Sequence, residues 1–481
     1  MNNNKNFLLY LIFILIKIFI ALYFLDLTNC NYKSLNIPSG AFYTEGGDTF
    51  SYLDPYENLI TENSYHFFNG KNNVYAGRMP QYGITYYIFR HFLNIKTSSN
   101  LQGLLQLILE IVSSIVILNF IKNYFKNTIT FLFSYIILLT STYWSSFTLL
   151  LSPESVGISI MILALHFYYS WKKTNNYLQI FLVGMLITYL TGLKPYMGIL
   201  FVLIGLDIIR LSIMRKTSLF KFIKVGFLFS ITFIVVTFSW SYRNYNITTK
   251  AYILTEPFSG YTTYTKPISQ SFRNFIANLG EIEEAWNKKA LSSFFYKNKE
   301  TVYIIDDIPL SSLCNQDSIL AIKEIVSNMY QYEGKQDTLM ANRIDLLADS
   351  YLIDKPERVI TSRLKLIPKF IFHSGSYYLP ISTSFECYKP YQMLIKYYES
   401  LLYYFVLIFG FMGLFLFTIK TKDFIIIAIP LFLILFFCII LRHTEWRYFL
   451  YSFVSLFWGV TYFFNFCINK FIKTKLDVKI Q

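Results

Sequence analysis

Long apolar runs alternate with short polar connections over most of this chain. About ten of the runs approach the roughly 20 residues that cross a bilayer's hydrocarbon core as a helix. They are Phe7–Leu25, Leu101–Ile121, Ile129–Leu149, Ser155–Trp171, Tyr177–Leu193, Tyr196–Ile213, Phe222–Trp240, Leu401–Ile419, Phe424–Leu441 and Tyr448–Ile468. The stretch Gln81–Phe92 is apolar but short, and predicts an interfacial or half-buried helix. A polar interval, Ser241–Ser400, separates the seventh run from the eighth. Within it Phe272, Phe275, Ile276, Leu279 and Ile282 recur at helical spacing, and Asp317 stands ahead of Leu320, Ile322, Ile325 and Met329 as a helix cap. Pro356 opens a third stretch, in which Val359, Leu364, Ile367, Phe370 and Ile371 oppose Arg358, Arg363, Lys365 and Lys369. That pattern predicts a basic amphipathic helix, for a membrane surface or for docking on the bundle. The chain therefore reads as an all-α polytopic membrane protein with a small, mostly helical outer domain. Its expected parts are a transmembrane core at 1–240 with a first outer loop at 26–100, the outer domain at 241–400, and C-terminal membrane helices with a tail at 401–481.

Orientation follows from the basic residues of the short connections. Lys5, Lys122, Lys126, Lys172, Lys173, Arg210, Arg215, Lys216, Lys221 and Lys224 fall on one side, with Lys420, Lys422, Lys470, Lys473 and Lys475. The other side holds only Lys194, Arg442 and Arg447 in its short connections. Both termini are thus expected in the cytoplasm, with the first loop and the polar interval facing outward. The first run lacks a small-residue cleavage site and reads as a retained anchor.

Composition agrees with a membrane setting. Of 481 residues 54% are hydrophobic and only 15% charged, against about 25% charged in soluble domains. The net charge of +14 is scattered between apolar runs, so no nucleic-acid partner is expected. Cys438 and Cys467 lie in runs, while Cys30, Cys314 and Cys387 lie outside, where a disulfide is permitted and one thiol is left over. No Cys/His spacing suggests zinc, and no glycine-rich phosphate loop appears. Any driving energy must arrive in the substrate or an ion gradient.

Polar landmarks collect at the outward ends of the runs. Asp48 and Tyr52 follow the first run, four apart and so on one face if that piece is helical. Arg78-Met79-Pro80-Gln81-Tyr82 comes later in the same loop, its proline able to start a helix. Glu154 opens the fourth run, near the positive end of its dipole. Lys194-Pro195 closes the fifth, Trp240-Ser241-Tyr242-Arg243-Asn244 closes the seventh, and Glu445-Trp446-Arg447-Tyr448 opens the last.

This ordered set resembles the C-type superfamily of membrane glycosyltransferases (GT-C), nearest the branch of protein O-mannosyltransferases and lipid A aminoarabinose transferases. Gly260-Tyr261 to Pro267 and Lys355-Pro356-Glu357-Arg358 are similar to that family's outer-loop elements. The resemblance implies a GT-C-type bundle in a bacterial inner (plasma) membrane. It also implies transfer of a sugar from a polyprenyl-phosphate donor to a lipid, glycan or protein acceptor at the outer face, with inversion. Where the family often has two adjacent acids after the first span, Thr49 stands in the second place, and Met79 replaces a proline. One acid where the family has an adjacent pair argues against a divalent metal, so no metal and no other cofactor is expected.

The chemistry of such a transfer can be stated from residue types alone. A carboxylate must accept the acceptor's proton, and cations must stabilise the departing lipid phosphate. Asp48 is the expected base, with Glu154 assisting. Arg243 and Arg447 foremost, then Arg78 and Lys194, are expected at the donor phosphate. Tyr52, Tyr82, Asn244, Glu445 and Tyr448 are expected around the substrates. Each residue has a plainer reading: Asp48 or Glu154 as a helix cap, and the four cations as interfacial anchors. Within the runs, Lys17 is expected to snorkel, Glu110 to pair in the bundle, Asp207 to lie near the cytoplasmic end, and His166 to be a hydrogen-bonded core group. Rival functions are an O-antigen-type polymerase or ligase and a lipid or solute transporter. The latter should show repeated halves around a midplane site, which are not visible.

Overall fold

The computed structural model of this chain describes residues 3–31, 40–45, 48–68, 73–142, 144–256, 267–278, 316–328, 331–354, 356–372, 390–441 and 445–480. Most are helical. The core helices are α1 (Asn3–Asn31), α2 (Thr49–Glu62), α3 (Ile84–Arg90), α4 (Ile95–Phe125), α5 (Thr128–Thr140), α6 (Pro153–Thr174), α7 (Tyr177–Leu193), α8 (Ile199–Met214) and α9 (Leu219–Thr248). The outer interval supplies α10 (Pro267–Asn278), α11 (Gln316–Ser327), α12 (Lys335–Asp354) and α13 (Pro356–Ile371). The chain ends with α14 (Pro390–Thr421), α15 (Ile425–Ile434, prolonged by a π-helical turn at Leu435–Ile440) and α16 (Ser452–Ile480). Among the described residues the one sheet is a hairpin pairing Phe67 with Val74 and Phe68 with Asn73.

Among the described residues, seven segments are long and apolar enough to cross a membrane: Phe7–Asp26, Ile95–Phe125, Thr128–Phe147, Pro195–Met214, Leu219–Thr248, Met393–Thr421 and Arg447–Phe471. Tyr177–Leu193 and Ile425–Ile440 are apolar but shorter. Helix α6 has the length but carries Glu154, Lys172 and Lys173 at its ends. The expected spans fall on helices, one of them only in part, and this is an all-α polytopic membrane protein. In the Gln81–Phe92 stretch the helix is only α3, seven residues and too short to cross. Pro80 does not start it; its carbonyl accepts the Tyr56 hydroxyl, and the helix begins at Ile84.

Local chemistry sets the ends of these helices. Asn94, Asn127, Asn176 and Ser218 each cap a helix N-terminus with a side-chain oxygen, supplying an acceptor for otherwise unpaired amides. Lys126 and Asn175 take positive φ just past α4 and α6, which makes possible the two-residue links to the next helix. Helix packing then relies on small residues. A Cβ on Gly413 of α14 would lie 1.8 Å from the Gly459 carbonyl of α16, so that pair of helices touches backbone to backbone.

One expected span is revised. Ile129–Leu149 is α-helical only to Thr140; the described residues from there to Ser152 are irregular apart from a 3₁₀ turn at Ser145–Phe147, yet stay largely buried. Irregular backbone at membrane depth survives only where protein satisfies its polar groups. Here Gln106 donates to the carbonyls of Thr148 (2.8 Å) and Leu150 (3.0 Å). Thr49 donates its hydroxyl to the Leu151 carbonyl at 2.9 Å, and Glu399 accepts from the Thr142 amide at 3.1 Å. Thr44 and Leu150 form a parallel bridge, which ties this segment to the first outer loop. Ser145 and Thr148 of this hydroxyl-rich stretch both donate to the Glu110 carboxylate.

Two further expectations change. Lys17 does not snorkel: it is 1% exposed, donates to Ser145 Oγ at 2.8 Å and lies 3.4 Å from Glu110. A buried counter-charge is nearer than water. His166 packs against Phe120 and Phe167, and its Nδ1 has no hydrogen-bond partner among the described residues. Asp207 pairs with Lys172 (3.1 Å) and Arg210 (2.5 Å), and Lys172 also reaches Asp423 at 2.8 Å. Helix α13 does dock on the bundle: Phe370 is buried against Phe437 and Phe449, while Ile360 and Leu364 stay exposed. Cys314 and Cys387, the Cys30 side chain, the element from Gly260 and Lys355 lie outside the described residues.

Candidate active site

The bridge between Thr44 and Leu150 brings two distant pieces of chain together, and each delivers an acid. Asp48 stands at the N-cap of α2, yet its side chain makes no capping bond. Its carboxylate instead meets Arg447 Nη2 at 2.7 Å. Glu154 lies in the first turn of α6, 1% exposed, and accepts from Lys194 Nζ at 2.7 Å. Lys194 sits where α7 ends and a 3₁₀ turn at Pro195–Gly198 begins, itself only 6% exposed. Gly192, just before it, allows the Gln81 side chain to lie against α7; a Cβ there would come within 2.0 Å of the Gln81 amide carbon.

Arg447 is the hub. It occupies a 3₁₀ turn at Trp446–Tyr451 leading into α16. Besides Asp48, its Nη1 lies 3.7 Å from Glu154 and its Nε 2.5 Å from Glu445. Arg78 completes the group from the first loop: its Nε donates to Ser51 Oγ at 3.0 Å and its guanidinium lies 4.5 Å from the Tyr52 ring centre. Three acids and three cations therefore gather at the ends of helices drawn from the whole chain. The cations need no external anion for balance, because Asp48, Glu154 and Glu445 already supply it.

Exposure is graded across the cluster. Lys194 and Glu154 form a buried floor, while Asp48 (36%), Glu445 (26%) and Arg447 (25%) form an open face. Burial pushes the Asp48 carboxyl up, but Arg447, Arg78 and Lys194 together outweigh it and hold the group below the ordinary carboxylate range. Oε2 of Glu154, Oε1 of Gln81 and the hydroxyls of Tyr196 and Tyr451 are buried with no hydrogen-bond partner among the described residues. Such atoms represent unspent bonding capacity.

Not every expected residue joins the cluster. Arg243 does not. It donates to the carbonyls of Tyr75 (2.5 Å) and Tyr65 (2.6 Å) and to Asn244 Oδ1 (2.9 Å), with Trp240 and Tyr65 rings against it. Asn244, fully buried, donates onward to the Tyr252 carbonyl at 3.0 Å. This pair clamps the first loop and the segment after α9, so its donors are spent on backbone. Tyr82 is likewise a support: it is 1% exposed, donates to Gln106 Oε1 at 2.7 Å, and packs edge-on to Tyr52. Tyr448 stacks on Phe437 at 4.4 Å, beside Arg447. Gln81, Tyr196 and Tyr451 escape sequence reasoning because nothing separates them from the many packing aromatics and amides.

No family model matches the sequence, and no curated protein does. A crystal structure of ArnT from Cupriavidus metallidurans bound to undecaprenyl phosphate is similar at 11% identity and a TM-score of 0.38. That match covers 95% of this chain and 76% of that one. ArnT from the same organism in the apo state gives 12% identity and a TM-score of 0.32, covering 88% and 72%. Neither likeness assigns a family.

Proposed function

We propose that this protein is a membrane glycosyltransferase of the GT-C type. It would move a sugar from a polyprenyl-phosphate donor to a lipid, glycan or protein acceptor at the outer face of a bacterial inner membrane. One observation supports this reading above the others. Asp48, Glu154, Lys194 and Arg447, picked from the sequence as span-end landmarks, form one contact cluster despite separations of up to about 400 residues. An interfacial anchor would put its charge into water. Lys194 and Arg447 put theirs onto carboxylates.

In the proposed mechanism Asp48 accepts the proton of the acceptor hydroxyl as that oxygen attacks the anomeric carbon. The bond to the donor phosphate breaks in the same displacement, which inverts the centre. Arg447, with Arg78 and Lys194, takes up the charge on the departing phosphate. Arg447 is already occupied by Asp48, Glu154 and Glu445. An incoming phosphate therefore competes with Asp48 for the guanidinium. Displacing Asp48 removes the strongest charge holding its carboxyl down and makes it a better base. Donor binding thus prepares proton removal. The acids facing the site are engaged by cations, so metal independence stays part of the proposal.

The test is direct. Purified protein in proteoliposomes is offered defined polyprenyl-phosphate sugars, with donors chosen from lipid-linked sugars that accumulate in a deletion strain. Release of free polyprenyl phosphate supports the reading. Failure to consume any accumulating donor contradicts it.

A further inference from the structure

Two charged side chains lie deep in the bundle and have no part in the proposed mechanism. Lys17 stands midway along the span Phe7–Asp26 and Glu110 midway along Ile95–Phe125, and each is 1% exposed. Charge at that depth is costly, and exchanging a buried ion pair for apolar residues is often neutral or stabilising. Stability alone is therefore a poor account of the pair.

The hydrogen bonds point elsewhere. A staple between α1 and α4 needs only the 3.4 Å contact between Lys17 and Glu110. Instead both side chains reach the stretch of chain that follows α5. Lys17 donates to Ser145 Oγ at 2.8 Å, and Ser145 donates to Glu110 Oε1 at 2.6 Å. The Thr148 hydroxyl donates to Glu110 Oε2, so each carboxylate oxygen holds a hydroxyl of this one stretch. One turn earlier on α4, Gln106 binds the carbonyls of Thr148 and Leu150.

The same stretch sets both acids of the outer cluster. The Leu149 carbonyl accepts from the Thr44 amide at 2.8 Å, and the Leu151 amide donates back to the Thr44 carbonyl at 2.9 Å. Thr49, next to Asp48, donates its hydroxyl to the Leu151 carbonyl at 2.9 Å. Glu154 follows three residues after Leu151, at most about 10 Å of chain. No helical ladder fixes these residues in place. Their side-chain contacts do.

We propose that Lys17 and Glu110 are positioning residues for the transfer. Through Ser145 and Thr148 they fix the stretch 145–151, and with it the placement of Asp48 and Glu154 around Arg447. This rests on the reading of the outer cluster as the transfer site, and adds what holds its two acids in register. Among the described residues neither side chain contacts the cluster, so the phosphate-binding cations are left in place when the pair is altered. Misplaced acids then cost turnover rather than donor affinity.

The experiment uses the full chain in proteoliposomes. It measures kcat and donor KM per folded molecule, and amide hydrogen exchange by mass spectrometry. Lys17→Met combined with Glu110→Leu strands no charge and should keep an unfolding temperature near the parent's. Its kcat should fall by roughly 10- to 100-fold, the scale of a misplacement near 1 Å, with donor KM little changed. Thr148→Val leaves the ion pair intact and should slow turnover in the same way, while Thr148→Ser, which restores the hydroxyl, should recover it. In both slowed variants the amides of 44–51 and 145–152 should exchange faster than in the parent. Parent-like kcat in the folded double variant and in Thr148→Val would overturn the proposal. So would a raised donor KM with kcat kept, or faster exchange confined to α1 and α4. A parent that consumes no donor would sink the proposed function instead, and exchange at 44–51 and 145–152 would still decide whether the pair sets this stretch.

Discussion

Two acid–base clusters sit at opposite ends of helix α6, and they are built differently. At the inner end, Asp207 is fully buried with both oxygens committed: one to Arg210, the other to Lys172 and the Tyr168 hydroxyl. Lys172 is shared with Asp423. Asp207, Lys172 and Arg210 stand on regular helix, and Asp423 lies in the short α14–α15 connection. At the outer end, Asp48 and Arg447 stand at the edges of irregular segments, are partly exposed, and border polar atoms with no partner. The same residue types thus serve as a staple in one place and as a reactive surface in the other. Satisfaction and exposure distinguish them; charge does not.

That difference can be broken by mutation. The largest expected effect is on turnover. Arg447→Gln should reduce transfer by roughly 10²- to 10³-fold, the usual cost of losing a preorganised charge partner. It should also move the acid limb of the pH profile upward, because the foremost cation offsetting burial at Asp48 is then gone. The sign is clear: a carboxyl held low is ionised, and its ion pair intact, until the pH falls through its depressed value. Removing the cation raises that threshold. A pH–rate profile for parent and variant measures both effects, and an unmoved acid limb would separate Arg447 from Asp48.

Stability should respond most at the inner end. Asp207→Asn strands Lys172 and Arg210 against a weaker partner and should cost about 3 kcal/mol or more, read by thermal unfolding in detergent, with turnover per folded molecule unchanged. The Lys194→Met variant should destabilise comparably by stranding Glu154, and Lys194→Met combined with Glu154→Gln should recover much of that loss while remaining inactive. Smaller again is Arg243→Lys. It exchanges a guanidinium fork on two carbonyls for a point charge, so about 1–2 kcal/mol of stability should go, with little change in the reaction itself. The smallest expected effect is none: EDTA should leave turnover as it was, and a loss restored by Mg²⁺ or Mn²⁺ would contradict metal independence.

Periodicity made the helices legible, because ten apolar runs announce themselves regardless of packing. The outward residues were legible too, since a charge at the end of an apolar run is conspicuous. Their partners were not. Whether Arg243 meets the Tyr65 and Tyr75 carbonyls or an acid, and whether Lys194 meets Glu154, depends on which distant segments pack beside them, and packing between segments leaves no period to read. The stop at Thr140 was hidden for a related reason: Gln106, Thr49 and Glu399 release that segment from helix, and all three are remote in sequence. Lys17 looked like a snorkelling lysine because Glu110 lies on another helix.

The orientation proposed from the basic connections is open to single-cysteine labelling with an impermeant reagent, and finding the Asp48 and Glu445 segments on opposite faces would contradict it. The central claim is that the outer cluster performs the transfer, and Asp48 tests it most directly. Purified parent and Asp48→Asn proteins, reconstituted at equal folded amounts, are compared for release of polyprenyl phosphate from a defined donor. The account predicts a fall of roughly 10²- to 10⁴-fold, the usual cost of removing a positioned base, with donor binding and unfolding temperature nearly unchanged. Turnover within a factor of two or so of the parent would contradict it.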